Sequence, residues 1–343
     1  MGVDLSELVP REKKLIVDFA GQTVAVDAYN TIYQFLSIIR QPDGTPLMDS
    51  RHRVTSHLSG LLYRNLNLLE AGIRPIFVFD GKPHELKKGT IAERSAVKEK
   101  AQVEYEAALS EGDLEKARSK AQQTSRITKE VVEDSKKLLG LIGIPCVQAP
   151  MDGEGEAAFL VQKGYATAVA SQDFDSLLFG SPVLVRNLTI TGRRKLPRKQ
   201  IYINVEPERM ELGAVLSALA LSREQLVEMC ILMGTDFNEG IHGIGPKKAH
   251  KLLLDHGSLD KVIAAKNYQI PGWQEVRGIF LEPSVEDPGP PAFGEPDVPK
   301  IIDFLVGEHD FSQERVESPL QRLVDMLEAK KKEGAQLRLD KWF

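Results

Sequence analysis

Apolar and polar positions along this chain follow two rhythms. Short β-branched runs ending in an acid occupy residues 22–27, "QTVAVD", and 73–80, "IRPIFVFD". Two more short apolar runs follow at 144–149, "IPCVQA", and 167–171, "TAVAS", the second leading into Asp173. Between them, helical periodicity covers 54–71, 130–142 and 155–163. Strands alternating with helices predict an α/β fold, a central, mostly parallel, twisted sheet flanked by helices. Ligands of such sheets gather outside the carboxyl ends of the strands. Asp27, Asp80 and Asp173 each fall at or just after such an end. Packing alone gives no reason for three strands to deliver an acid to one rim.

Other stretches break the rhythm. Residues 84–129 are rich in Ala, Lys, Glu and Arg and poor in large apolar residues. They read as a solvated helical pair broken near Gly112 and Asp113. Because Lys87, Lys88, Arg94, Lys98 and Lys100 crowd its start, directly after Asp80, the pair is expected to project and to meet a polyanion. Residues 190–202, "ITGRRKLPRKQIY", lie between strand-like runs and predict a hairpin with a basic tip carrying Arg193 and Arg194. Frequent Pro and Gly at 271–299 predict an irregular wrapping segment.

Composition narrows the class. Of 343 residues, 42% are hydrophobic and 27% charged, ordinary for a globular protein. No apolar run approaches the roughly 18–20 residues of a membrane span, and the start, "MGVDLSELVP", lacks signal-peptide character. No membrane association is expected. Cys146 and Cys230 sit in apolar surroundings without CxxC spacing, which predicts reduced core residues in an intracellular protein. The seven histidines form no zinc pattern.

The stretch "MDGEGEAAFLVQKGYATAVASQDFDSLLFG" at 151–180 holds two alternating acid pairs, Glu154 with Glu156 and Asp173 with Asp175. A lone DxD is ordinarily a cap or a surface acid. With Asp27, Asp80 and Asp236 of "CILMGTDFNEG", however, there are seven candidate acids. Crowded together they would repel by several kcal/mol or take up protons unless cations neutralised them. Oxygen ligands without His or Cys select Mg²⁺ or Mn²⁺. Such a site suits two ions roughly 4 Å apart, the arrangement for in-line attack on phosphodiesters. The same acids bear on net charge, which is −5 from 44 basic and 49 acidic residues. With the seven set aside, 44 cations face 42 anions, a balance of +2 that suits a nucleic-acid partner.

Residues 240–254, "GIHGIGPKKAHKLLL", add a phosphate cradle. Gly243 and Gly245 precede Pro246 at a helix start, exposing backbone N–H groups, and Lys247 and Lys248 add positive charge. Contacts of this kind position a duplex without reading its sequence.

"VAVDAYNTIYQFL", "FVFDGKPHELKKGTIAERS", "DGEGEAAF", "SQDFDSLLFG" and "GTDFNEGIHGIGPKKA", in this order, resemble the structure-specific 5′ nucleases, specifically flap endonucleases of archaeal or eukaryotic type. The resemblance implies a PIN-like nuclease fold with a helical arch at about 84–129 and a helix–three-turn–helix motif at about 225–256. It implies a single nuclease domain over 1–330, with an N-terminal part (1–110), an internal part (about 130–260) and a tail at 331–343. All seven acids carry over as metal ligands, Lys87 and Arg94 as catalytic cations beside Asp173, and Tyr33 as a stacking aromatic near the scissile region. Gly2 matches the family's processed N-terminus, and the three-turn motif implies a K⁺ site at 240–245. The arch implies threading or clamping of a single-stranded 5′ flap, with ordering on binding. "SLLFG" after the second acid pair and "GRRKLPRK" are generic, and no base-reading motif is present.

The chain closes on "QLRLDKWF", where Gln336, Leu339, Trp342 and Phe343 follow the spacing of a sliding-clamp-binding motif. Many eukaryotic relatives continue into a long basic tail. The stop here points to an archaeal, cytoplasmic protein, with a nuclear location expected for a eukaryotic source. The expectation is a monomeric, Mg²⁺-dependent 5′ flap endonuclease with 5′–3′ exonuclease activity, acting on branched DNA in primer removal and repair. The alternatives are a junction- or bubble-cutting relative and a non-catalytic clamp-bound scaffold.

Overall fold

The computed structural model describes residues 3–190, 192–195 and 202–339; at 192–195, 202–203 and 330–339 it describes the backbone alone. Nine strands are present among these residues: β1 (Glu12–Lys13), β2 (Thr23–Asp27), β3 (Arg74–Phe79), β4 (Cys146–Gln148), β5 (Ala168–Ala170), β6 (Val183–Arg186), β7 (Gly192–Lys195), β8 (Tyr202–Val205) and β9 (Glu208–Glu211). Seven form one sheet in the order β1-β9-β6-β5-β2-β3-β4. The five strands from β6 to β4 are parallel, and β9 and β1 add an antiparallel edge. After β2 the chain builds outward through β3 and β4, then returns to place β5 on the other side of β2. That reversal opens a crevice at the carboxyl ends of β2 and β5, where Asp27 and Ser171 stand. β7 and β8 pair antiparallel, but the hairpin differs from the expected one: Arg193 and Arg194 lie within β7, opposite Asn204 and Ile203, and not at a tip, while the strand-like run before them, β6, pairs with β9.

Period-2 alternation assigns the faces of the sheet. Ala25, Ile76 and Val78 point into one apolar cluster, while Val24, Val26, Phe77 and Phe79 point into the other. Helices α1 (Ala28–Ile38), α2 (Ser56–Glu70), α3 (Lys88–Ser110), α4 (Leu114–Ala121), α5 (Lys129–Ile142), α6 (Gly153–Gln162) and α7 (Asp175–Leu178) are followed by α8 (Leu212–Leu219), α9 (Arg223–Met233), α10 (Pro246–His256), α11 (Leu259–Lys266), α12 (Trp273–Leu281), α13 (Val298–Ile302) and α14 (Gln313–Leu339). α6, α7, α9 and α10 pack with the first cluster, and α1, α2, α5, α13 and α14 with the second.

α3 and α4 have their own satellite core of Tyr105, Ala108, Ala117 and Ala121. The break between them falls at Gly112, whose φ of 74° suits a residue without Cβ. No helix among the described residues is long and apolar enough to cross a membrane.

Two expectations need correction. The 271–299 stretch is not irregular throughout, because Val276 and Phe280 bury one face of α12. Cys146 lies exposed on the edge strand β4, so only Cys230 is a core cysteine. Within β4 the central Val147 turns inward and its two neighbours turn outward.

Candidate active site

Five separate segments bring acids to the crevice. Asp27 ends β2 and caps α1, with Oδ1 accepting from the Asn30 N–H at 3.0 Å. Asp80 follows β3, and its Oδ1 accepts from the Gly153 N–H at 2.7 Å. A Cβ at Gly153 would stand 2.7 Å from the same oxygen, so only glycine allows this approach. Ser171 follows β5 and bridges the rim, its Oγ lying 3.2 Å from both Asp27 Oδ2 and Glu154 Oε1. Asp173 accepts from Asn30 Nδ2 at 2.9 Å, and Asp175 accepts from the Val3 N–H at 2.9 Å. Asp236 follows α9.

The electrostatics show how costly this arrangement is. Burial, then the charges of Asp80 and Asp173, pushes the Asp27 carboxyl up to about 7. Asp175 is also pushed up to about 7, by burial and by Asp173 and Asp236. Burial raises Glu154 well above the usual range, with Asp175, Asp27 and Asp173 adding to the shift. Asp80 and Asp173 are raised by burial too. Each of these acids therefore feels others across the crevice, as crowding of like charges requires.

Glu156 does not belong to the rim. Its carboxylate is buried and turned the other way, accepting from the Glu286 N–H at 3.1 Å. Burial and the nearby Glu286 and Asp287 raise its pKa. Helical residues two apart point about 200° from each other, so once α6 begins at Gly153 the pair Glu154 and Glu156 must diverge. Asp152 stands on the rim side instead, beside Lys87 and Asp80. As the N-cap of α6 it is still extended (φ −81°, ψ 123°), and its charge acts on Asp80. The sequence carries the signal as acids at 152, 154 and 156; choosing among them required the start of the helix.

α3 and the turn before it carry the expected cations to these acids. Lys87 pairs with Asp152 and lies 4.8 Å from the ring centroid of Phe237. Burial would lower the Lys87 pKa, but Asp152, Asp80 and Glu154 outweigh it and the net shift is upward. Arg94 Nη2 lies 2.6 Å from Asp236 Oδ1, and Thr90 donates to the Asp236 carbonyl at 2.9 Å. Lys98 sits 5.1 Å from the ring centroid of Tyr33 on α1.

Beyond the acids, Gly245 caps α10, Pro246 opens it and Gly243 has φ 77°. Lys247 pairs with Glu7 at 3.0 Å, and Lys248 donates to the Gly243 carbonyl at 3.0 Å. Gly2, Trp342 and Phe343 lie outside the described residues, as do the side chains of Arg193, Arg194, Gln336 and Leu339.

The donor set consists of carboxylates with Ser and Asn beside them, chemistry suited to hard divalent cations. Among the described residues no three His, Cys, Asp or Glu side chains stand close enough together to hold a metal ion directly. Magnesium keeps several of its waters, so a rim of carboxylates around an open crevice fits it where a tight cage would not.

These features define a nuclease class. The XPG N-terminal domain profile matches residues 5–101 and the XPG I-region profile matches residues 143–236. Flap endonuclease 1 of Methanosarcina acetivorans is 49% identical over 344 positions, and that of Staphylothermus marinus is 50% identical over 351, each alignment covering 100% of both chains. The solved flap endonuclease-1 from Methanococcus jannaschii superposes with a TM-score of 0.75 at 38% identity, covering 96% of this chain and 100% of that one. The chain belongs to the flap endonuclease family of structure-specific 5′ nucleases.

Proposed function

We propose that the rim formed by Asp27, Asp80, Asp152, Glu154, Asp173, Asp175 and Asp236 holds two Mg²⁺ ions and cuts DNA at the base of a 5′ flap. The observation carrying this reading is the crowding of acids from distant segments, with carboxyls pushed up to about 7, at the switch point of the sheet. Bound there, the ions would neutralise the acids, polarise the phosphoryl group and lower the pKa of a water.

The chain's own residues do the rest. Lys87 and Arg94, already beside Asp152 and Asp236, turn to the non-bridging oxygens of the scissile phosphate as negative charge grows on them. The water oxygen adds to phosphorus, the bond to the 3′ oxygen breaks and a proton reaches that oxygen, leaving a 5′-phosphate and a 3′-hydroxyl. The Tyr33 ring offers a stacking face to the unpaired nucleotide beside the rim. The start of α10, with Gly243, Gly245, Lys247 and Lys248, grips the duplex backbone, and backbone carbonyls at 240–245 would hold a K⁺ that adds positive charge to that grip.

Residues 1–330 act as one nuclease domain, and Gln336, Leu339, Trp342 and Phe343 dock on a sliding clamp. Mg²⁺-dependent cleavage of a labelled 5′-flap DNA tests the core of this reading. Asp173→Ala should still bind the substrate but cut it at least ~10³-fold more slowly; equal rates would refute the site. Deleting "QLRLDKWF" should leave basal cutting intact and abolish stimulation by the clamp.

A further inference from the structure

α3 is held at its start by the acids of the rim, yet its far end lies a full 23 residues on. That end meets the loop after α1. Gly44 there has φ 93°, and a Cβ built on it would stand 2.8 Å from Ala121 Cβ, 3.1 Å from Arg118 Cα and 3.3 Å from the Tyr105 ring. The satellite core of α3 and α4 therefore rests directly on bare backbone. The first residue of this loop closes the same contact. Arg40 donates through Nε to the Leu36 carbonyl at 2.9 Å, through Nη1 to the Gly44 carbonyl at 2.8 Å and through Nη2 to Ser125 Oγ at 2.9 Å. Ser125 is buried, stands just beyond α4, and takes a second contact from Ser37 Oγ at 3.1 Å. One guanidinium thus ties the end of α1, the loop and the exit of the helical pair.

We propose that the loop at 40–46 is the seat on which α3 and α4 dock, with Arg40 as a positioning residue whose three hydrogen bonds set where Lys87 and Arg94 stand over the rim. A 23-residue helix is stiff, so a shift at its seated end moves its other end. Neither Arg40 nor Gly44 contacts a rim acid among the described residues; each acts only through the seat. Gly44 fixes the closeness of approach, since any side chain there meets Ala121 and a backbone atom, and φ 93° disfavours one in any case. The proposal rests on Lys87 and Arg94 being the phosphate-facing cations.

The test compares wild type with Arg40→Ala, Arg40→Lys, Gly44→Val and Arg94→Ala. The readouts are single-turnover cleavage of 5′-flap DNA at saturating enzyme, flap-DNA affinity, thermal midpoint, and hydrogen exchange across 88–125. Arg40→Ala and Gly44→Val should cut ~10–100-fold more slowly, as displacement of catalytic groups by about 1 Å does. Exchange should rise in 88–125 while the strands β2 and β3 stay protected, and affinity should change less than about threefold. Arg40→Lys, which cannot form the three-way fork, should fall between wild type and alanine. Faster exchange with an unchanged rate would overturn the proposal. So would a slower rate matched by loosening of β2 and β3. If Arg94→Ala cuts at the wild-type rate, the reading of the cations itself fails; if Arg94→Ala is slow and Arg40→Ala is not, only the seat fails.

Discussion

The acid rim and the ionic knot around Asp49 both bury carboxylates, and they treat them in opposite ways. Asp49, whose side chain is fully buried, accepts from the backbone N–H groups of Arg51 and Arg53 at 2.9 Å each and from Arg53 Nε at 2.7 Å. The His309 ring stands between two acids, with Nδ1 3.3 Å from Asp49 and Nε2 3.8 Å from Asp134. Asp310 accepts from the Ser50 N–H at 2.7 Å, so the knot binds the loop before α2 to the segment leading into α14. Burial alone would raise the Asp49 carboxyl, but the hydrogen bonds from Arg53 and Arg51 outweigh it and hold the group below its usual range. At the rim the same burial meets neighbouring acids, and Asp27 and Asp175 rise to about 7. A buried anion with resident partners is a structural pin. Anions buried against one another await a cation from outside.

Substitutions can break this contrast. The largest effect is expected at the rim, where Asp152→Asn should slow flap cleavage on the order of 10²–10³-fold, the scale for loss of a charge-stabilising group. Glu156→Gln, outside the rim, should stay within about threefold of wild type in single-turnover rate. Equal losses in the two variants would restore Glu156 to the site. In the knot, Asp49→Ala should instead cost stability, about 3 kcal/mol, since it removes the buried anion that Arg53 and two backbone N–H groups bond. Its cleavage rate per folded molecule should be unchanged, read by denaturant unfolding beside single-turnover kinetics.

The smallest effect concerns pH, and it runs in opposite directions at the two places. A carboxyl raised from 3.8 to about 7 holds its proton more tightly when folded. Its contribution to stability is full below pH 3.8 and is lost as pH climbs through about 7. Asp49, held low, contributes above its ordinary value of 3.8 and loses that contribution as pH falls through its depressed one. In chelator, the thermal midpoint of wild type relative to Asp27→Asn should therefore drop between pH 4 and 7, by roughly 2–4 °C for each kcal/mol. Saturating Mg²⁺ should abolish the drop, and a flat difference in chelator would mean that the rim carries no such strain.

The contrast also explains what could be read from the sequence. Strand ends were legible because β-branched runs stop on acids at Asp27 and Asp80, and the parallel order follows from alternation with helices. The rim could be read as chemistry, since so many acids at strand ends have no packing use. Its register could not, because acids at 152, 154 and 156 look alike until the helix start decides which of them turns inward. Ser171 and Asn30, which join the acids, are too common in type to stand out. The knot was invisible, because Asp49, Asp134 and His309 meet only through the fold. α12 was hidden by the prolines and glycines on either side of it. The seat at Gly44 likewise depends on a contact between distant segments.

The central claim is that the rim is an anionic pocket only partly neutralised by Lys87 and Arg94 and built for divalent cations. Calorimetric titration of the chelator-treated protein with Mn²⁺ near pH 6.5, repeated in buffers of different ionisation enthalpy, addresses it most directly. Two bound ions with net release of protons are predicted, with both the binding and the release diminished in Asp27→Asn/Asp175→Asn. Absence of binding, or an identical proton count in that variant, would contradict it.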